Sequence, residues 1–428
     1  MKITLLSRGD SGAGGYVAVY RLYQGLKRVE DRTTLLVGSA KKSDTTSLNT
    51  SPFDKVFSQL GPTLDKLPLK RYTDRPSTLF STQWVPDRIV AKLKRIEPDI
   101  VNVHWISQGF MQIGTLAKLP YPLVWTSHDM WGFTGGCHYT QECDRYIQQC
   151  GKCPQLKSSK EQDLSRWIWQ RKKRAWSAIP LTLITPSHWL ADCMKKSSLF
   201  QDKRIEVIAN GLDTTVYKPC DRVSDAEHYR GYARDRLNLP QDKHLVLFGA
   251  VNATSDTRKG FHLLQPALQH LSQCHQQDNI ELVIFGASRP QEEPALGFKT
   301  HYLGKFQDDL ALSLIYAAVD LFVAPSIQDN LPNTILESLA CGTPAVAFNI
   351  GGMPDMIEHQ QNGYLAQAFE IKDLAQGIRW VLEDKERYQN LCDRACQKVE
   401  QEFTLEIQAD NYLNLFAEII DNYHKEYR

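Results

Sequence analysis

Short apolar runs alternate with longer amphipathic stretches along this chain, and the whole alternation runs through twice. That pattern admits few folds. Strands that are apolar throughout must be buried on both faces, which requires a parallel sheet covered by crossover helices. The first series predicts strands at 2–6, 33–37, 100–104, 123–126 and 181–184, with a helix over 16–27 after the glycine loop Ser11-Gly12-Ala13-Gly14-Gly15. A polar, charged stretch to about Pro240 then reads as a linker with a surface helix. The second series predicts strands at 245–248, 282–285, 321–324 and 345–348. The expectation is an α/β chain of two doubly wound, Rossmann-like domains, 1–207 and 208–403, facing each other across a cleft. An irregular insertion occupies about 131–160, and a last helix over 404–428 is expected to pack back on the first domain. Open sheets bind ligands outside the carboxyl ends of their strands. Gly14, His104, His128, Gly249, Pro325 and Gly351 fall there.

Composition narrows the class. With 42% hydrophobic residues in 428, the chain has enough apolar material for two or three cores, which argues against wholesale disorder. No run reaches the roughly 18 consecutive apolar residues of a membrane span. The apolar start at 2–6 is too short for a signal-peptide core and reads as a first strand, so a cytoplasmic protein is expected. The net charge is +1, but residues 1–215 hold 31 Lys+Arg against 19 Asp+Glu (+12), and the remainder 19 against 30 (−11). One half can thus meet something anionic, such as a lipid surface or a pyrophosphate-bearing acceptor, or the halves can attract each other.

The segment Pro325-Ser326-Ile327-Gln328-Asp329-Asn330-Leu331-Pro332-Asn333-Thr334-Ile335-Leu336-Glu337 carries the most chemistry. It follows a predicted strand and enters a helix, placing Asp329 in the loop and Glu337 one turn inside the helix. An ionised carboxylate is a strong acceptor for sugar hydroxyls. Free N–H groups at Leu331, Asn333 and Thr334 suit a phosphate; Pro332 has none. Taken alone, the motif also fits an ordinary Asp/Asn-capped helix with a solvated Glu.

The surrounding residues add to it. The block, with Cys341-Gly342-Thr343-Pro344 after it, resembles the signature of glycosyltransferase family 4, retaining enzymes of the GT-B fold. Ile208-Ala209-Asn210-Gly211-Leu212-Asp213, Arg258-Lys259-Gly260, Gly304-Lys305, 314–320 and Gly351-Gly352-Met353-Pro354-Asp355 continue the likeness. In the first half, Thr126-Ser127-His128-Asp129-Met130-Trp131 is similar to bacterial exopolysaccharide, colanic-acid-type members. The resemblance implies a sugar moved from a nucleoside-diphosphate donor to a hydroxyl of a saccharide or polyprenyl-pyrophosphate-linked acceptor. It implies that Glu337 holds the donor ribose, Asp329 faces the donor sugar, and Lys259 neutralises the leaving diphosphate. His128 lies near the transferred sugar, Gly14 and Gly15 admit phosphates or acceptor to the backbone, and Asn330, Leu331, Asn333 and Thr334 line the donor. The family commonly has Glu where Asp329 stands, and an Arg after the strand before the lysine; here Gly249–Thr254 has none, so either Arg258 replaces it or Lys259 acts alone with the helix amides. A lysine and helix N-termini reduce the need for a divalent cation, so no cofactor is expected for catalysis. A double displacement would need a placed carboxylate nucleophile. The sequence singles none out, which leaves front-face attack assisted by the departing phosphate.

Two further features stand apart. Cys137, Cys143, Cys150 and Cys153 fall within 17 residues, with His138 nearby. Stable disulfides are not expected in a reducing cytoplasm. The thiols could bind a structural zinc or pack an irregular insertion. The segment 166–176 carries Arg171, Lys172, Lys173 and Arg174 among tryptophans, of which Trp169 and Trp176 share a helix face. It reads as a contact with an anionic membrane surface or as a core-packed helix with a solvated basic face. No nucleic-acid module is recognisable. Against the transferase stand another GT-B enzyme, such as a phosphorylase or nucleotide-sugar epimerase, and a non-catalytic lipid- or saccharide-binding module.

Overall fold

A computed structural model describes the chain except residues 10–13, 39–41, 49–51, 219–225, 251–252, 275–278, 307 and 428. It divides into two compact units, Met1–Ala209 with Gln408–Arg428, and Asn210–Ile407. The last helix, Leu405–Tyr427, thus lies mostly with the first unit.

The first unit holds a seven-stranded sheet: β1 Ile3–Ser7, β2 Thr34–Val37, β3 Thr46–Ser47, β4 Ile100–Val103, β5 Leu123–Thr126, β6 Leu181–Thr185 and β7 Arg204–Val207, in the order β3-β2-β1-β4-β5-β6-β7. The second holds six: β8 His244–Gly249, β9 Ile280–Phe285, β10 Thr300–Gly304, β11 Leu321–Ala324, β12 Ala345–Phe348 and β13 Gly363–Ala366, in the order β10-β9-β8-β11-β12-β13. Every pairing is parallel. Each sheet reverses direction once, between β1 and β4 and between β8 and β11, which makes each unit doubly wound.

The strands read as the sequence requires. All of β1 is buried, and its alternate residues feed two cores. Ile3 and Leu5 pack with Val19, Leu22 and Leu26 of the helix Gly14–Val29 and with Tyr412 and Phe416 of the last helix. Leu6 belongs to the opposite core with Val101, Val103, Trp125, Trp131 and Trp176. The Tyr412 hydroxyl meets Thr126 Oγ1 at 3.0 Å, tying the last helix to β5.

The four strands absent from the sequence reading, β3, β7, β10 and β13, are the four sheet edges. An edge strand is covered less completely, so its apolar run is weak: β7 reads Arg-Ile-Glu-Val, and β10 is half-buried throughout. The helix Ala226–Arg236 is not a free surface helix as expected. Arg234 is buried, donates to Asp320 at 2.8 Å and to the Ala318 carbonyl at 2.8 Å, and so clamps the helix to the turn before β11. Among the described residues no helix is long and apolar enough to cross a membrane.

Candidate active site

In the second unit, a single turn of 3-10 helix, Thr257–Lys259, is capped by Asp256, whose carboxylate accepts the Arg258 N–H at 3.0 Å. The turn is held against the loop after β11 by the Ile327 N–H, which donates to the Arg258 carbonyl at 2.9 Å. Gly260, at φ +77°, permits this approach: a Cβ there would sit 1.7 Å from the Pro325 carbonyl oxygen. The close fit brings Lys259 Nζ to 2.7 Å and Arg258 Nη1 to 3.1 Å from Asp329 Oδ2. The Asn330 N–H donates to the other carboxylate oxygen at 3.2 Å. Burial alone would raise the pKa of Asp329, but the charges of Lys259 and Arg258, with the bonds from Lys259 and Asn330, hold it at about 2. Gly351, at φ +55°, closes the far side; a Cβ there would meet the Asp329 carbonyl at 2.1 Å.

The helix Asn333–Ala340 starts at Pro332, which has no side-chain cap, so the ordinary Asp/Asn-capped reading of this motif does not hold. Glu337 is not solvated either: it is 4% exposed and accepts the Tyr316 hydroxyl at 3.0 Å. Burial, and then the charge of Glu337, push the Tyr316 hydroxyl well above its ordinary value. Asn333 Oδ1 accepts the Asn210 side-chain amide at 3.2 Å. Asn330 and Leu331 are buried beneath the helix start, and Thr334 is half-buried beside it. Asp329, Lys259, Arg258 and the Asn330–Glu337 segment therefore converge, with Arg258 bonded where the sequence had offered it as the substitute cation.

In the first unit, His128 follows β5 and His104 follows β4. Their rings stack with centroids 5.4 Å apart, and His104 Nδ1 lies 3.1 Å from His128 Nε2. Such a bond needs one N–H and one lone pair, so the rings are not both protonated. Burial lowers both, His128 to about 4 against the opposing charge of Asp129, and His104 well below its ordinary value, helped by His128. Gly15, in the first turn of its helix, stands against the His128 ring; a Cβ there would lie 3.7 Å from the His128 Cβ. At Gly14 a Cβ would meet nothing within 4 Å. Residues 11–13 of the glycine loop lie outside the described residues. Asp129 accepts Trp105 Nε1 at 3.1 Å and the Trp131 N–H at 2.8 Å, and pairs with His138 at 2.7 Å; His138 in turn meets Ser81 Oγ at 2.9 Å. The sequence did not single out Ser81; it noted Tyr316 only within 314–320 and His138 only beside the cysteines. Nothing local marks them, because each partner lies at least nine residues away along the chain.

The two remaining features change. Among the described residues no three His, Cys, Asp or Glu side chains are grouped so as to hold a metal ion. Cys137, Cys143, Cys150 and Cys153 are free thiols, three of them buried, and Cys150 Sγ accepts the Gly135 N–H at 3.1 Å. Burial pushes the Cys150 thiol up to about 12 and Cys153 to about 11. In the helix Leu164–Trp176, Trp169 and Trp176 are buried, and so is Lys172, which donates to the Trp131 carbonyl and, at 3.0 Å, to the Thr134 carbonyl. Its ammonium stands 3.6 Å from the Trp131 ring centroid, and burial brings it down to about 7. Lys172 therefore cannot face a membrane. The exposed residues of this helix include Trp167, Lys173 and Arg174.

Two parallel-sheet domains in series, each with ligand-type residues at its strand ends, define the GT-B fold. Residues 13–216 match the family model described as Glycosyltransferase Family 4, and residues 242–384 the one described as Glycosyl transferases group 1. The chain carries glycosyltransferase domains of these two descriptions, one after the other. It is 25% identical over 326 residues to sulfoquinovosyl transferase SQD2 of Arabidopsis thaliana, a match covering 73% of this chain but only 56% of the plant protein. The sucrose-phosphate synthase of Thermosynechococcus elongatus has a similar structure, with a TM-score of 0.68 at 18% identity, covering 98% of this chain and 99% of that one. So does Anabaena Alr3699/HepE, solved in complex with UDP and glucose, with a TM-score of 0.62 at 20% identity, covering 97% and 99%. At these identities the solved structures speak for the fold.

Proposed function

We propose that this chain is a glycosyltransferase that moves a sugar from a nucleoside-diphosphate donor to a hydroxyl of a saccharide or lipid-linked saccharide, with retention at the anomeric carbon. The observation that carries the reading is the second unit's cluster: two cations on one buried carboxylate, next to an uncapped helix start and a buried glutamate. Lys259 and Arg258 receive the donor diphosphate, assisted by the N-terminus of the helix Asn333–Ala340. The phosphate takes the cations over from Asp329, whose carboxylate then accepts the sugar hydroxyls. Glu337, oriented by Tyr316, accepts from the ribose. His128, in the first unit and kept neutral by burial, can accept from a sugar hydroxyl. The anomeric C–O bond breaks with the electron pair leaving on the nucleoside diphosphate. The acceptor oxygen bonds the same face, and its proton passes to the departing phosphate. These residues can stabilise the leaving group without a metal ion.

The finer reading is exopolysaccharide or other cell-surface polysaccharide synthesis of the colanic-acid type, on a polyprenyl-pyrophosphate-linked acceptor at the cytoplasmic face of a membrane. It is supported by the motif around His128 and by the +12 balance (31 − 19) of residues 1–215. The test is calorimetric titration of a panel of nucleoside diphosphates into the wild type and Glu337→Ala. Loss of a charge-assisted bond to the ribose predicts affinity weakened about 10- to 100-fold. Unchanged affinity in a folded variant overturns the assignment.

A further inference from the structure

The first unit carries a groove of about 810 Å³ well separated in sequence from the glycine loop. Its sides are the 3-10 helix Leu67–Arg71 and the start of the helix Leu164–Trp176. Three aromatic rings, Tyr72, Trp84 and Trp167, line it, and each is fixed. The Trp84 indole N–H donates to the Leu64 carbonyl at 3.1 Å, and the Tyr72 hydroxyl accepts the Leu164 N–H at 3.0 Å. The Arg171 guanidinium lies 4.5 Å from the Trp167 ring centroid and is itself anchored on the Thr82 and Gln83 carbonyls at 3.3 and 3.1 Å. Trp167 is nonetheless 41% exposed.

The polar lining is planar: the guanidinium groups of Arg71 and Arg171, two amides and one carboxylate. Arg71 and Gln162 are exposed, and Gln112 adds a second amide. The one carboxylate, Asp163, is occupied: it accepts the Cys153 N–H at 2.9 Å, the Ser165 hydroxyl at 2.6 Å and the Arg166 N–H at 3.1 Å as the helix cap. Fixed rings beside forked guanidinium and amide groups suit a ligand with flat apolar faces rimmed by hydroxyls and carboxylates. A pyranose ring has that form, and a carboxylate on it matches the exposed Arg71 guanidinium bidentately. A hydrocarbon chain fits less well. The apolar walls join the three ring faces with Leu67, Pro68 and Leu164, and they are broken by the guanidinium and amide groups. Fixing the rings in advance lowers the ordering cost of binding.

We propose that this groove binds an acidic oligosaccharide, one bearing uronic-acid-type carboxylates. Its use as a hold on the distal part of an acceptor rests on the transferase reading, whereas the binding itself does not. The backbone of Thr82 and Gln83, which anchors Arg171, adjoins Ser81, and Ser81 reaches Asp129 through His138. The groove is thus linked by hydrogen bonds to the residue beside His128.

The experiment is calorimetry of the full-length protein with hexagalacturonate as the acidic probe and maltohexaose as the neutral one. Trp167→Ala and Arg71→Ala alter exposed side chains, and UDP titration on the same samples reports the second unit independently. The expected result is hexagalacturonate binding at least tenfold tighter than maltohexaose, weakened about tenfold or more in each variant, as loss of a charge-assisted bond predicts. UDP affinity should stay unchanged. Absence of hexagalacturonate binding, equal affinity for the two probes, or binding that survives both substitutions overturns the proposal. So does binding of anionic phosphatidylglycerol vesicles lost in these variants without any oligosaccharide binding, which assigns the groove to lipid. If UDP binding fails while hexagalacturonate binds as expected, the donor reading falls and the groove stands.

Discussion

Asp329 shares its charge with two cations in a buried loop, which sets two expectations. Asp329→Asn removes the carboxylate that Lys259 and Arg258 share, leaving Arg258 its pair with Asp256 at 3.4 Å; the change should cost on the order of 3 kcal/mol of stability, read as a lower unfolding midpoint in urea. The same change frees both cations for phosphate, so inorganic pyrophosphate should bind the variant more tightly than the wild type. Equal or weaker pyrophosphate binding would mean that these cations do not meet the diphosphate. His128 gives a pH expectation. Its folded pKa, about 4, lies below its ordinary value of 6.5. The unfolded chain therefore binds the extra proton first. The contribution is fully present above pH 6.5 and is lost as pH falls toward 4, and His104 acts in the same direction. Thermal unfolding between pH 7 and 4 should show a midpoint that falls less steeply in His128→Gln than in the wild type.

The helix Leu164–Trp176 shows how one element divides its residues between core and solvent. Trp176 lies between Trp125 and Phe200, with ring centroids 5.1 and 6.2 Å away, and its N–H donates to the Ile113 carbonyl at 2.9 Å. Trp176→Ala should therefore cost about 3–5 kcal/mol. Lys172 is part of the same core, and its replacement should lower stability without changing attraction to a surface. The membrane expectation rests instead on exposed cations such as Lys173 and Arg174. Replacing both with Gln should weaken co-sedimentation with anionic liposomes, and added salt should do the same to the wild type. Equal binding to anionic and neutral lipids, or none to either, would rule out electrostatic docking.

At the scale of the molecule, each unit's core is completed by segments distant in sequence. Tyr412 and Phe416 are fully buried with β1 and the helix Gly14–Val29, although some 380 or more residues separate them. Ending the chain after Ile407 removes these two rings, each worth about 1.5–3 kcal/mol of burial. The truncated protein should lose stability in the first unit while the second still binds nucleoside diphosphate. Hydrogen exchange resolved by peptide would show new exchange over 3–26 and little over 244–366. Uniform loss of protection would contradict the division into two units.

The sequence by itself determined the strands flanked by other strands, the doubly wound class and the acidic motif after β11. Buried strands are apolar along their whole length, and a motif of thirteen consecutive residues needs no distant partner to be read. It left the four edge strands unread: in β7 half-covered backbone tolerates Arg204 and Glu206 as readily as valine, β10 is half-buried, β3 has only two residues, and β13, though mostly buried, is a four-residue run opened by Gly363. It also could not tell Lys172 from Lys173, neighbours in the chain that differ only in which way the helix turns them, one into a tryptophan cage and the other to water. The pairing of Arg258 and Lys259 with Asp329, of Tyr316 with Glu337 and of His104 with His128 was decided by tertiary structure alone. Each joins side chains from separate segments of the chain, and both the cations that hold Asp329 at about 2 and the burial that lowers His128 to about 4 exist only in the folded units.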